Sequence, residues 1–297
     1  TNDTTPTVSG TAETGSTVVL TSDIDGAVGT ATADGTTGIW VITASTLGDG
    51  NHDLTTTATD AAGNTGAASA ALAVTIDTST PDAPSAPDLF SGSDSGSSSD
   101  DDNTSDTTPT VSGTADAGIT VNLTSDIDGL VGTATADATT GAWSISTSTL
   151  ADGVHALTAT ATDSVDNISV ASAALAVTID TTDPAAPGTP DLDAASDTGG
   201  ADDDDNTSDT TPTVSGTAEA GSTVTLSSDI DGAVGTAAAD ATTGAWSISS
   251  SALAEGAHTL TTTATDAAGN TGIASAGLAV TVDTTPPDAP SAPDLSA

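Results

Sequence analysis

Apolar and polar positions alternate with a period of two through most of the chain. In LAVTID, Leu175, Val177 and Ile179 fall on one side, and HALTATATD sets Leu157, Ala159 and Ala161 against outward threonines. A period of two marks a strand with one buried face. TPTVSGTA, ITVNLTS, LVGTATAD and AWSIS read the same way, with Gly and Pro kept out of most strand interiors, which makes six strands. PSAPDLF from Pro84 supplies a seventh. A seventh is needed if the chain enters a unit at one end and leaves at the other, because an even number of up-and-down strands returns it to its starting end.

The pattern repeats. DTTPTVSGTA begins at Asp3, Asp106 and Asp209, a period of 103 residues without insertions, and Trp40, Trp143 and Trp246 recur in register, as do His52, His155 and His258. A unit of this length is a domain with its own core, longer than a solenoid turn. The predicted fold is therefore all-β, a tandem array of sandwich modules of about seven strands stacked end to end as a rod. Proline in DTSTPDAP and DTTDPAAP bars helix and fixes extended linkers. The boundaries that follow are 1–77, a module lacking its first strand; 82–180; 183–283; and 284–297, a linker and the first strand of a following module. A pattern that starts and stops inside its own repeat reads as an internal piece of something longer.

Composition alone points elsewhere. Val, Leu, Ile and Phe make up roughly 16% of the residues, and with the charge this chain carries that is the range of disordered segments. The local order of the pattern outweighs it, provided something offsets the repulsion. That repulsion is severe: 42 Asp and Glu face no Lys or Arg, for a formal charge of -42. Neutralising charge must come from outside. Nucleic acid is excluded as a partner because phosphate binding depends on Lys and Arg, and an anionic membrane surface repels the chain too. No apolar run approaches a membrane span, so membrane insertion is not expected. Cys and Met are absent, so neither disulfides nor thiolate metal sites are available.

DTTPTVSGTA, GAWSI, LADGVHALTATATD and a closing VTIDTT, in fixed order over essentially the whole chain, resemble the bacterial immunoglobulin-like repeats of large secreted adhesins, among them the biofilm-associated proteins and RTX adhesins. The resemblance implies immunoglobulin-like β-sandwich extender modules on the bacterial cell surface, with calcium at the junctions. Animal immunoglobulins carry a paired Cys that is absent here, so no disulfide carries over.

Calcium takes six to eight hard oxygen ligands, which Asp in Ser- and Gly-rich loops can present. With the first strand of a module running down, the Asp-rich loop, the SDIDG turn and the end of the last strand share the lower pole. The upper pole collects Asp116, Asp163 and Asn167. Stacking then brings Asp77 towards Asp82, Asp116 and Asp163 of the next module, and Asp180 towards Asp183, Glu219 and Asp266. The loop itself is a second candidate, with Asp94, Asp100, Asp101, Asp102 and Asp106 in one copy and Asp197, Asp203, Asp204, Asp205 and Asp209 in the other. In the DID turns, Asp126 with Asp128 and Asp229 with Asp231 are two residues apart and can aim both carboxylates one way. Asp3, Glu13, Asp60 and Asp283 are the corresponding positions at the remaining poles. No stretch matches an EF-hand, which needs a Glu at its twelfth position.

The remaining marks read as structural. The histidines lie about a module apart, whereas zinc needs three or four ligands in one place, and each Trp opens an alternating strand as a core anchor. No nucleophile, base and acid are tied by spacing, and no phosphate loop is present, so the chain is not expected to be an enzyme. The expected function is a calcium-rigidified spacer in an extracellular adhesin that holds an adhesive end domain away from the cell. A strand of about six to eight residues spans about 20–27 Å, so a module and its linker should add roughly 35–45 Å. Two alternatives stand beside it. One is an extracellular filament subunit assembling head to tail by strand complementation, motivated by PDAPSAPDLSA at the C-terminus. The other is a module that binds ice, sugar or a host protein.

Overall fold

The computed structural model describes residues 1–96, 98–201 and 204–291, and over them every regular element is a strand. The first module contains β1 (Thr7–Thr11), β2 (Thr17–Ser22), β3 (Gly26–Thr32), β4 (Ile39–Thr43), β5 (Gly50–Thr59) and β6 (Leu72–Ile76). The second contains β7 (Asp88–Leu89), β8 (Asn103–Thr104), β9 (Thr110–Thr114), β10 (Thr120–Ser125), β11 (Gly129–Thr135), β12 (Ala142–Ser146), β13 (Gly153–Thr162) and β14 (Leu175–Ile179). The third repeats the second with β15 (Asp191–Leu192), β16 (Asn206–Thr207), β17 (Thr213–Thr217), β18 (Thr223–Ser228), β19 (Gly232–Ala238), β20 (Ala245–Ser249), β21 (Gly256–Thr265) and β22 (Leu278–Val282).

Two sheets face each other in the second module, one in the order β12-β9-β7 and one in the order β11-β10-β13-β14-β8. The first module pairs β1 only with β4, opposite a sheet β3-β2-β5-β6. Alternation decides the faces. Along β13, His155, Leu157, Ala159 and Ala161 are buried while the residues between them are only half-covered or exposed. Each module closes its own core; in the second, Val121, Leu123, Trp143, Ile145, Leu157 and Ile179 are central to it. Leu89 on the two-residue β7 reaches that core, and Val111, opposite it in the register, is fully covered.

Large apolar residues being few, close approach of backbone to side chain completes the packing. The Trp143 indole lies flat on Gly113 of β9, where a Cβ would stand 2.6 Å from the ring. The same Gly–Trp contact recurs at Gly10 with Trp40 and at Gly216 with Trp246.

The eighth strand is not legible in the alternation. β8 runs parallel to β14, with Asn103 opposite Thr178 and Thr104 opposite Ile179, and β16 pairs β22 identically. The end of the Asp-rich loop is thereby tied to the last strand of its own module. Thr104 Oγ1 also donates to Ser93 O and closes the loop on itself. Of the predicted positions, Asp203 and the part of the C-terminal strand within 292–297 lie outside the described residues.

Gly113→Val should destabilise the second module by about 1–3 kcal/mol, the range for forcing extra carbons into a packed core. Chemical denaturation monitored by Trp fluorescence checks this, the same change at exposed Gly35, whose backbone is not left-handed and where a Cβ would meet nothing, serving as a control for substitution alone.

Candidate metal centre and module junctions

The Asp-rich loop of the second module folds back over the end of its own sheet. Asp94 is buried, at 8% exposure. Its carboxylate accepts from the backbone N–H groups of Asp102 and Asp101, while Oδ1 has no partner among the described residues. Asp102 takes a left-handed backbone at φ 57, a conformation Asp tolerates better than most residues. Asp88, Asp100 and Asp102 line the adjoining cleft of about 340 Å³ together with Ser91, Ser99 and Ser112. Burial pushes the Asp94 carboxyl above its ordinary range, and the charges of Asp101 and Asp100 add to that against the pull of the Asp102 N–H. Burial raises Asp102 as well, reinforced by the charges of Asp94, Asp88, Asp101 and Asp100.

The third module repeats the arrangement. Asp197 is buried with Oδ1 unpartnered, Asp205 N donates to its Oδ2 at 3.3 Å, and Asp205 has φ 54. Asp101 and Asp204 turn inward on their own chain, accepting from Asn103 N and Asn206 N. Asp106 and Asp209 accept from the N–H and hydroxyl of Thr108 and Thr211, as Asp3 does from Thr5. Among the described residues, no three carboxylate or imidazole groups converge as a ready-made metal cluster. The loop instead presents hard oxygens around a cleft, and the same loop buries the unpartnered Asp94 Oδ1. Buried polar groups without partners are rare and costly, and an all-oxygen donor set suits calcium. Asp88, carried by β7, lies outside the predicted set, and only the fold brings it beside the loop; Asp191 is its counterpart on β15.

At the junctions, the crossing contact belongs to asparagine. Asn167 Nδ2 donates to the Asp77 carbonyl at 2.9 Å, and Asn270 Nδ2 to the Asp180 carbonyl at 2.8 Å. Asp163 holds Asn167 in place: Oδ1 accepts from the N–H groups of Val165 and Asn167, and Oδ2 from the Asn167 amide. Desolvation pushes Asp163 up, but these bonds together hold it below the usual aspartate range. Asp266 and Asp60 hold Asn270 and Asn64 in the same way. Asp116 shares a cleft with Asp163, and Glu13 one with Asp60. Glu219 lines a cleft against linker residues Ala185 and Ala186. Asp77, Asp180 and Asp283 accept from the backbone two residues on, and Asp82 and Asp183 are exposed.

The second and third modules also touch through the loop: Ser95 Oγ donates to Ala268 O at 2.6 Å. The predicted pole assignment agrees with these contacts, since the Asp-rich loop and the end of β14 meet the loop after β21.

The two carboxylates of each DID turn part company. Asp126 Oδ1 accepts from Ala156 N at 2.8 Å, whereas Asp128 Oδ2 lies 3.3 Å from His155 Nδ1. Asp229 and Asp231 divide likewise between Thr259 N and His258. Ser125 Oγ accepts from the N–H groups of Ile127 and Asp128, so its own hydrogen is directed at His155 Nδ1, 3.0 Å away. The proton of His155 then sits on Nε2, which donates to Ala151 O at 2.7 Å. Ser, His and Asp are thus neighbours three times over, but the hydroxyl and the ring are both buried. The trio locks the turn to the start of β13.

The chain belongs to the bacterial Ig-like domain family, whose model matches residues 1–78, 80–181 and 184–284. No curated protein matches it. Among solved structures it is similar to a "biofilm associated protein - BSP domain", at 17% identity and a TM-score of 0.25, covering 93% of this chain and 61% of that one. It is also similar to the fibronectin(III)-like modules of Clostridium thermocellum CbhA, at 16% identity and a TM-score of 0.37, covering 66% of this chain and 93% of that one. The chain thus spans about three fifths of the biofilm-associated structure.

The raised Asp94 and Asp102 give a pH prediction with a definite sign. A carboxyl whose folded value is raised contributes stability below its unfolded value and loses it as pH rises through the folded one. In chelator, this contribution should therefore grow, and the melting temperature climb, as pH falls from neutrality towards the ordinary aspartate range. The lowered Asp34, Asp60, Asp137, Asp163 and Asp240 stay ionised across that window and lose their contribution only below the ordinary aspartate range. Asp94→Asn should raise the melting temperature at pH 7 in chelator and flatten the climb; scanning calorimetry reads both.

Proposed function

We propose that the chain is a calcium-stiffened spacer of a bacterial cell-surface adhesin. One observation carries the reading: in a chain without Lys or Arg, Asp94 and Asp197 each bury a carboxylate oxygen that no group among the described residues satisfies. Asp94, with Asp88, Asp100 and Asp102, would hold the ion in the second module; Asp197, with Asp191 and Asp205, would do so in the third. When bound, calcium supplies the positive charge that the side chains lack.

The protein's own groups explain why order in this loop should reach the next module. The loop is tied to β14 through β8, and Ser95, one residue after Asp94, donates across the junction to Ala268. A loop held in one conformation keeps that donor in place. At the same joint Asn270 supplies a second crossing bond, to Asp180 O, and at the first joint Asn167 donates to Asp77 O. Two separated contacts resist bending where one permits it, so successive modules hold their line and an end domain is carried outward. The family assignment supports a surface location, and the high negative charge discourages lateral clumping.

Small-angle scattering on the full chain with millimolar calcium and with chelator tests this. Calcium should lengthen the maximum dimension and narrow the distance distribution, and should raise the melting temperature by several degrees, with calorimetric titration counting the ions. Asp94→Asn should lower that count by one in the second module. Identical scattering profiles and melting curves in the two conditions would reject the spacer mechanism.

A further inference from the structure

The Asp-rich loops of the second and third modules are built alike but differ on the wall of the cleft. Asp88, Asp94, Asp102 and Ser112 of the second module recur 103 residues on as Asp191, Asp197, Asp205 and Ser215, whereas Phe90, the only Phe of the chain, recurs as Asp193. The backbone at the two places is the same. Phe90 N donates to Thr110 O at 2.9 Å and Asp193 N to Thr213 O at 3.0 Å, and each carbonyl accepts from the same pair of N–H groups, those of Ser93 and Asp94 or of Ser196 and Asp197. Asp94 and Asp197 are 8% and 6% exposed, and Oδ1 of each has no partner among the described residues.

The exchange alters what the cleft offers. In the second module the exposed Phe90 lines it beside Asp88, Asp100, Asp102 and Ser112. The ring lies over Gly92, where a Cβ would stand 2.7 Å from it; the third module has no ring there and carries Ala195 instead. Half-buried Asp193 turns its carboxylate to the matching wall, where Oδ1 accepts from the Ser215 hydroxyl at 2.6 Å. An aromatic ring supplies no hard oxygen, whereas a carboxylate supplies both a donor and a negative charge, and the count of charged ligands is one of the properties that set calcium affinity.

The loop with the ring is the one that meets the neighbouring module. Ser95, next to Asp94, donates to Ala268 O of the third module, and a Cβ on Gly269 would stand 2.9 Å from Gly96 N.

We propose that the two loops take calcium with unequal affinity, the third module first because Asp193 replaces Phe90, and that the joint between the second and third modules stiffens only at the higher concentration that fills the second. This order rests on the calcium reading above and adds a threshold to it. Between the two concentrations the third loop is occupied while the joint still bends. Phe90 sets the calcium level at which this joint straightens.

Calorimetric titration of the full chain with calcium tests the order. Two classes of site should appear, about ten-fold or more apart in Kd. Asp94→Asn should leave the tight class and Asp197→Asn the weak one. Phe90→Asp should tighten the weak class, and Asp193→Asn, which keeps an acceptor for Ser215, should loosen the tight class by about ten-fold. Cooperative melting in chelator establishes that the variants fold. Scattering at a calcium concentration between the two constants should keep the flexible profile and change only as the weak class fills. Equal affinities, or affinities that neither Phe90→Asp nor Asp193→Asn moves, overturn the order and leave the calcium reading standing, as does a scattering profile that changes with the tight class. A chain that binds no calcium at all rejects that reading itself.

Discussion

Every carboxylate in this protein must find its partner without a basic side chain, and the fold answers chiefly with its own backbone. Asp137 caps a turn by accepting from Thr139 N, Thr140 N and the Thr140 hydroxyl; Asp34 and Asp240 do the same in their modules. Asp106 closes the approach to β9, Asp126 caps β13, and Asp163 organises the loop that reaches the preceding module. Hydrogen bonds to the charged form favour ionisation, and they hold Asp34, Asp137, Asp163 and Asp240 below the usual aspartate range. Asp94 and Asp102 are the exceptions. Their burial and mutual repulsion concentrate the electrostatic problem in the Asp-rich loop of the second module.

The cores are correspondingly lean. Alanine, valine and a few leucines fill the space between the sheets, and one Trp per module lies against a glycine that no other residue could replace. The contacts between modules are mainly polar, an asparagine to a carbonyl and a serine to a carbonyl. Such contacts fix direction and register, while each module draws its stability from its own interior. A tandem array built this way adds length without enlarging any single core.

Much of this was readable beforehand. Alternation locates the long strands, the repeat locates the modules, and the Trp and His positions read as structural and are buried, because burial on one face of a strand writes a period of two into the sequence. What escaped has an equally physical cause. β8 and β16 are two residues long and have no period to detect. The DID turn offered two carboxylates at one spacing, yet Asp126 accepts from a backbone N–H while Asp128 only lies beside an imidazole, a placement set by the neighbouring strand. Asn167 and Asn270 carry the junctions because a carboxylate cannot donate to a carbonyl, and an amide can. Asp88 joined the loop only through sheet pairing.

The parallel pair of β8 with β14 gives the array a particular response to tension. A module tethered at both ends is pulled upward through β7 and downward through β14, and β8 is coupled to β7 through the closed loop. The load therefore slides β8 and β14 along each other, so that their hydrogen bonds are strained in concert instead of opening one after another. A molecule held against flow would meet its first resistance there, in the segment beside the buried aspartate.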